Sequence, residues 1–156
     1  MTFVVTGLDA GQFEHLYGLS DDELMAKGAR AYVSDAHPGF PCRVQLKDMQ
    51  PGSRVILLNY AHLDVPTPYN SKHAIFVTDG AVTQTPEPGQ VPEILKIRQL
   101  VSLRAFDAAH MMVDARVVAG NETADIVRSL FADQQVSYIH AHTAGRGCYL
   151  ARIDRA

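Results

Sequence analysis

Tryptophan is absent from the 156 residues, cysteine occurs only twice, and proline is confined to one internal stretch. Each scarcity excludes something. Cys42 and Cys148 are too few for a disulfide scaffold. A chain of this size buries roughly two-thirds of its unfolded surface and needs neither disulfide nor metal to fold. Long apolar runs are also missing. The longest aliphatic run, residues 55–58, is far short of the roughly 20 residues that span a bilayer as a helix, so no membrane partner is expected. Met1, Thr2 and Phe3 offer no basic start and give way to Gly7 and Asp9, so no export signal is read there. The expectation is a cytoplasmic protein with reduced thiols. No charge of one sign dominates: 14 basic and 17 acidic residues leave a net −3, which gives nucleic acid nothing to be drawn by.

What is present is an ordinary globular composition, 47% hydrophobic and 20% charged, consistent with a single domain over residues 1–156. Arginine supplies ten of the fourteen basic residues. Its rigid fork of donors suits carboxylates and phosphates, although an arginine-rich genome produces the same bias.

All eight prolines lie between Pro38 and Pro92 and divide the chain into three zones. The first opens with a strand at residues 3–5. Two helix starts follow, because Asp9 precedes Gln12 by three residues and Ser20 precedes Glu23 likewise, both in the pattern of a capping box. The second helix should stop near Gly28, and residues 29–33 read as a strand. In the middle zone, strands are expected at residues 42–46, 55–60 and 74–77, with a loop at 64–71. Residues 84–92 read as a linker or a lid. In the last zone residues 100–106 and 111–118 read as a β-pair, with a helix over 94–106 as the competing reading. Residues 121–132 predict a helix whose stripe is Ile126, Val127, Leu130 and Phe131, with Asn121 able to cap it. Strands at 136–143 and 148–153 close the chain around a turn. Strands outnumber helices without βαβ alternation, so the expected class is α+β: a mostly antiparallel sheet, two short N-terminal helices and one longer helix near the C-terminus.

The densest candidate chemistry is in the final hairpin. Alternation puts Tyr138, His140 and His142 on one strand face, with the imidazoles roughly 7 Å apart at Cα. That spacing allows both to ligate one metal, with His62 or His37 as a third ligand; zinc is the ion such a pair would take. A His-x-His pair is common by chance in a chain with seven histidines, and ordinary polar strand positions explain it equally, so no metal is the primary expectation. Cys148 is a second candidate, needing His142 as its base. With Thr143 facing Cys148 across the turn, however, thiol and imidazoles point to opposite faces. Cys42 stands beside the positive Arg43, although buried cysteine is more often packing. Tyr60 and His62 share a face at the end of a central strand, and Arg104 lies on another.

Several of these stretches together resemble a bacterial family known as domain of unknown function 1203. They are residues 38–44 (Pro-Gly-Phe-Pro-Cys-Arg-Val), 57–62 (Leu-Leu-Asn-Tyr-Ala-His), Pro68-Tyr69, 102–107 (Ser-Leu-Arg-Ala-Phe-Asp), 111–115 (Met-Met-Val-Asp-Ala) and Gly147-Cys148-Tyr149. The likeness runs nearly the whole length. It implies one bacterial domain and no particular activity, so it assigns no catalytic residue.

Two functional expectations follow from the residues. The first is a protein or enzyme for a small anionic molecule, its pocket formed where the proline-rich loops meet the last hairpin. Catalytic candidates are His62, His140, His142 and Cys148, and ligand-binding candidates are Cys42, Arg43, Tyr60 and Arg104. The second is a non-catalytic interaction module, a homodimer joined by an edge strand.

Overall fold

The computed structural model describes all residues 1–156. Its ten strands form two five-stranded sheets rather than one. The first contains β1 (Phe3–Thr6), β10 (Tyr149–Arg155), β9 (Tyr138–Thr143), β7 (Val101–Phe106) and β8 (Met112–Val118), in that spatial order and antiparallel throughout. The second contains β2 (Arg30–Val33), β5 (Arg54–Leu63), β6 (Ser71–Thr78), β3 (Pro41–Cys42) and β4 (Lys47–Asp48) in that order. Only the β3–β6 pair is parallel.

Alternation gives the first sheet two unlike faces. Val101, Leu103, Ala105, Ile139, Ala141 and Ile153 enter one core with Val127, Leu130 and Phe131 of the helix Thr123–Ala132, the third and longest in the chain. The intervening positions carry Arg104, His140, His142 and Arg152 on the opposite face, toward the second sheet. The second sheet places Ile56, Ile75 and Val77 under Phe13, Leu16 and Leu24. Full burial of each such side chain contributes about 1.5–3 kcal/mol.

A register shift between Tyr149 and Ala151 decides what joins the sheets. Leu150 and Ala151, adjacent in sequence, both enter the core under the long helix, while Tyr149 packs with the second sheet's core. A regular strand would put Tyr149 on the same face as Ala151; the extra residue turns it to the histidine face.

Several local expectations meet the structure differently. The first N-terminal helix is instead a pair of 3₁₀ turns, Ala10–Gln12 and Glu14–Leu16. Asp9 accepts a bond from Gly11 N at 3.0 Å, and Phe13 and Leu16 are buried at a spacing that suits three residues per turn. The capping box at Ser20 and Glu23 does form, opening α1 (Asp21–Ala26). Asn121 caps nothing: it lies inside a 3₁₀ turn, Gly120–Glu122, from which Glu122 reaches back to Ala119 N at 3.4 Å. Of the strand expected at residues 42–46, only Cys42 belongs to one, as the end of β3. The chain turns back after Cys42, Leu46 adopts φ 55°, and Arg43 is drawn inward to bond Tyr149 O and Pro41 O. Residues 94–106 resolve as both readings in succession, with α2 (Glu93–Lys96) and then β7. The 84–92 stretch is tied to the turn between β3 and β4 through Gln84 N to Val44 O, and to β1 through Gly89 N to Phe3 O.

Candidate functional site

His62 stands near the end of β5, and His140 and His142 stand on β9. The sheet packing brings their rings together, with centroids 4.9 Å apart for His62–His142, 5.8 Å for His62–His140 and 6.2 Å for His140–His142. One nitrogen from each ring lies within 4.8 Å of the other two. Tyr149 holds the group. Its ring stacks on His62 at 5.2 Å and meets His140 and His142 edge-on. Phe106 and Tyr138 enclose His140 from the side.

The hydrogen bonding is unusual for so buried a cluster. His142 Nδ1 lies 2.9 Å from Gly147 O, and a carbonyl only accepts, so Nδ1 carries the proton and Nε2 the lone pair. That Nε2, with His62 Nδ1 and His140 Nδ1, is buried without any partner. A buried polar atom left unpaired costs about 1–3 kcal/mol, and three together require a cause. Burial, reinforced at every ring by the Arg104 charge, holds all three imidazoles neutral: His62 is pushed down to about 4, His142 to about 3 and His140 to about 2. At neutral pH the cluster therefore offers lone pairs and no charge.

A cavity of about 210 Å³ opens beside the cluster, bounded by His62, His142, Arg104, Tyr69, Asn70 and Phe106. No carboxylate lines it. Burial lowers the Arg104 guanidinium below its ordinary range.

Across the last hairpin lies a larger cavity of about 590 Å³. Its polar wall is Arg43, Arg98, Arg146, His73 and Cys148, and it too contains no carboxylate. Arg43 is 2% exposed and bonds only backbone, through Nε to Tyr149 O and Nη1 to Pro41 O, both at 2.7 Å. Burial pushes it down to about 10. Arg98 pairs with the fully buried Asp48, while its Nε has no partner. One buried carboxylate thus stands against two enclosed guanidiniums.

The candidate residues therefore do not share one hollow. His62, His140 and His142 converge, with Arg104 beside them. Arg43 and Cys148 line the larger cavity instead. Thr143 faces Cys148, as Thr143 N to Cys148 O at 2.8 Å shows, so Cys148 shares its cavity with Thr143 while His142 lines the other. Cys42 lines neither: it is enclosed in the second core, its sulfur accepting from Thr78 N at 3.2 Å. Tyr60 packs between Phe13 and Tyr149 and also lines neither. Arg98, His73 and Arg146 are the residues that sequence reasoning passed over. Arg98 is joined to Asp48 across fifty positions, which leaves no local signal.

Residues 39–155 match the model of a family described as a protein of unknown function, DUF1203. No curated protein and no solved structure matches the chain.

Proposed function

Because the chain belongs to the DUF1203 family, whose description names no activity, we propose on its own residues that it binds a small organic anion in the larger cavity. The observation that carries this reading is Arg43. An enclosed guanidinium with no carboxylate in contact is costly, and a bound carboxylate or phosphate would compensate it. Arg98 adds a second partly free fork, and Arg146 adds a charge on the exposed turn. Arginine engages such oxyanions bidentately. Leu57, Phe76 and Leu100 supply an apolar wall, so the ligand has an apolar body behind its charged head. The volume is in the range of small-molecule sites. Both cysteines are unpaired, which supports placement in a reducing compartment such as the cytoplasm. Cys148 and His73 are the wall groups available to act on a bound ligand, which is where an enzymatic role would reside.

The test is calorimetry with aryl and alkyl carboxylates and phosphate monoesters, each against its neutral amide or alcohol. An anion should bind where its neutral counterpart does not. Arg146→Ala, on an exposed turn, should weaken it by about tenfold, or ~1.4 kcal/mol, with the fold unchanged. Equal binding of charged and neutral compounds, or none at millimolar concentration, would end this reading.

A second reading rests on β8, an edge strand of the first sheet that exposes Val113 (38%) and Val117 (61%). An open edge that exposes apolar side chains can pair with a second copy. Light scattering over a hundredfold concentration range checks it, with Val117→Lys expected to shift any dimer to monomer. A wild-type chain monomeric throughout discards it.

A further inference from the structure

We propose that His62, His140 and His142 form a binding site for one divalent transition-metal ion of the zinc class, its remaining coordination position open to the smaller cavity and filled by an anion beside Arg104. This site is separate from the larger cavity and does not depend on a ligand there.

Three independent features support it. The first is convergence: one nitrogen from each of three imidazoles, carried on two different sheets, lies within 4.8 Å of the others. Tetrahedral bonds of about 2.0–2.1 Å would set these nitrogens about 3.4 Å apart. The widest pair must then close by about 1.4 Å, within reach of small side-chain rotations. The second feature is the set of unpartnered nitrogens. His140 and His142 are 2% and 1% exposed, yet each keeps a buried nitrogen with no hydrogen bond, as does His62. A purely structural cluster would have recruited donors to these atoms. Here the surroundings are the rings of Tyr149, Phe106 and Tyr138. The third feature is orientation. Gly147 O fixes the His142 tautomer from behind, the arrangement that metal-bound histidines use to hold the ligating nitrogen in place.

The donor set and the charges narrow the occupant. Three neutral imidazoles without carboxylate or thiolate suit zinc, copper, nickel or iron and not magnesium or calcium. Two of the three rings, His62 and His142, line the smaller cavity, while His140 is closed off behind them. An ion held by all three therefore faces that cavity with one side free, as in sites that exchange a ligand rather than sites that only brace a fold. Arg104 lines the same cavity, and no carboxylate there neutralises it. A guanidinium so placed repels a bare dication and attracts an anion bound to it, so the exchangeable ligand is hydroxide or a small carboxylate.

The experiment uses the full chain, stripped with a chelator, dialysed and titrated with zinc against a chromophoric competitor. Cobalt(II) serves as a spectroscopic stand-in. The expected result is one equivalent of zinc per chain at micromolar or tighter affinity, with visible cobalt bands of four- or five-coordinate intensity. His62→Ala should weaken zinc by more than about tenfold while circular dichroism stays native, since His62 is only partly buried. His142→Ala should do the same. His37→Ala, remote and on the surface, should bind as wild type. Adding azide should shift the cobalt bands in the wild type, and Arg104→Ala should weaken that response by about tenfold without lowering the zinc stoichiometry. Failure of zinc to bind at micromolar concentration overturns the site, as does unchanged affinity in folded His62→Ala. Cobalt bands indifferent to azide overturn the open position.

Discussion

The imidazole of His62 lies flat on the phenol ring of Tyr149, with centroids 5.2 Å apart and planes 10° from parallel. A residue of the second sheet is thereby held by one of the first. The bulge at Leu150 makes the contact, because it turns Tyr149 away from the face that Ala151 and Ile153 occupy.

Tyr149 should therefore tolerate loss of its hydroxyl and not of its ring. Its oxygen makes no hydrogen bond to the protein, so Tyr149→Phe should change stability by less than about 0.5 kcal/mol. Tyr149→Ala removes a large buried ring and should destabilise by about 3–5 kcal/mol. Urea denaturation of the two variants separates these outcomes. A destabilised Tyr149→Phe would show that the hydroxyl has a role the stacking does not explain.

Acid should loosen the chelator-treated protein well above the range in which carboxylates titrate. His62, His140 and His142 are each depressed in the fold by burial, and in the unfolded chain they return to about 6.5. Between pH 6.5 and about 4 the unfolded state binds more protons, so stability falls as pH falls. For the two fully buried rings the slope approaches roughly 1.4 kcal/mol per pH unit each. Denaturation midpoints at pH 7.5, 6.0 and 5.0 should decline steadily, and His62→Asn should flatten the decline. Midpoints independent of pH across this window would contradict the burial argument.

Gly120 should be irreplaceable where Gly145 is not. A Cβ at Gly120 would strike the carbonyls of Leu95, Lys96 and Arg98, where the chain passes close against α2. Nothing lies within 4 Å of the same atom at Gly145. Gly120→Ala should lose about 1–3 kcal/mol or more, and Gly145→Ala should stay within about 0.5 kcal/mol of wild type. Thermal melts suffice to compare them.

The two cap signals should part in the same kind of measurement. Ser20→Ala removes an oxygen that accepts from Glu23 N at 3.3 Å and should cost about 1 kcal/mol. Asn121→Ala removes a side chain that caps nothing and should be close to neutral. A large loss at Asn121 would reinstate it as a cap.

These contrasts mark how far sequence reading reaches. Ser20 and Glu23 interact within four residues, so their pattern and their structure coincide. The hairpin was equally legible: alternation placed Tyr138, His140 and His142 on one face, and the turn set Thr143 against Cys148. Asp9 and Asn121 are residue types that also favour helix starts, but at each the chain forms a 3₁₀ turn instead.

The amino-acid order by itself determined the strand-rich α+β class, the long helix under its apolar stripe and the two imidazoles side by side, because each depends on spacing within a few residues. It did not determine that strands would divide into two sheets, that His62 would meet His140 and His142, or that Arg43 and Arg104 would enter different cavities. Those outcomes depend on which strands pair across tens of residues and on a single extra residue at Leu150. Packing energy summed over both cores selects them, and no local pattern encodes that sum.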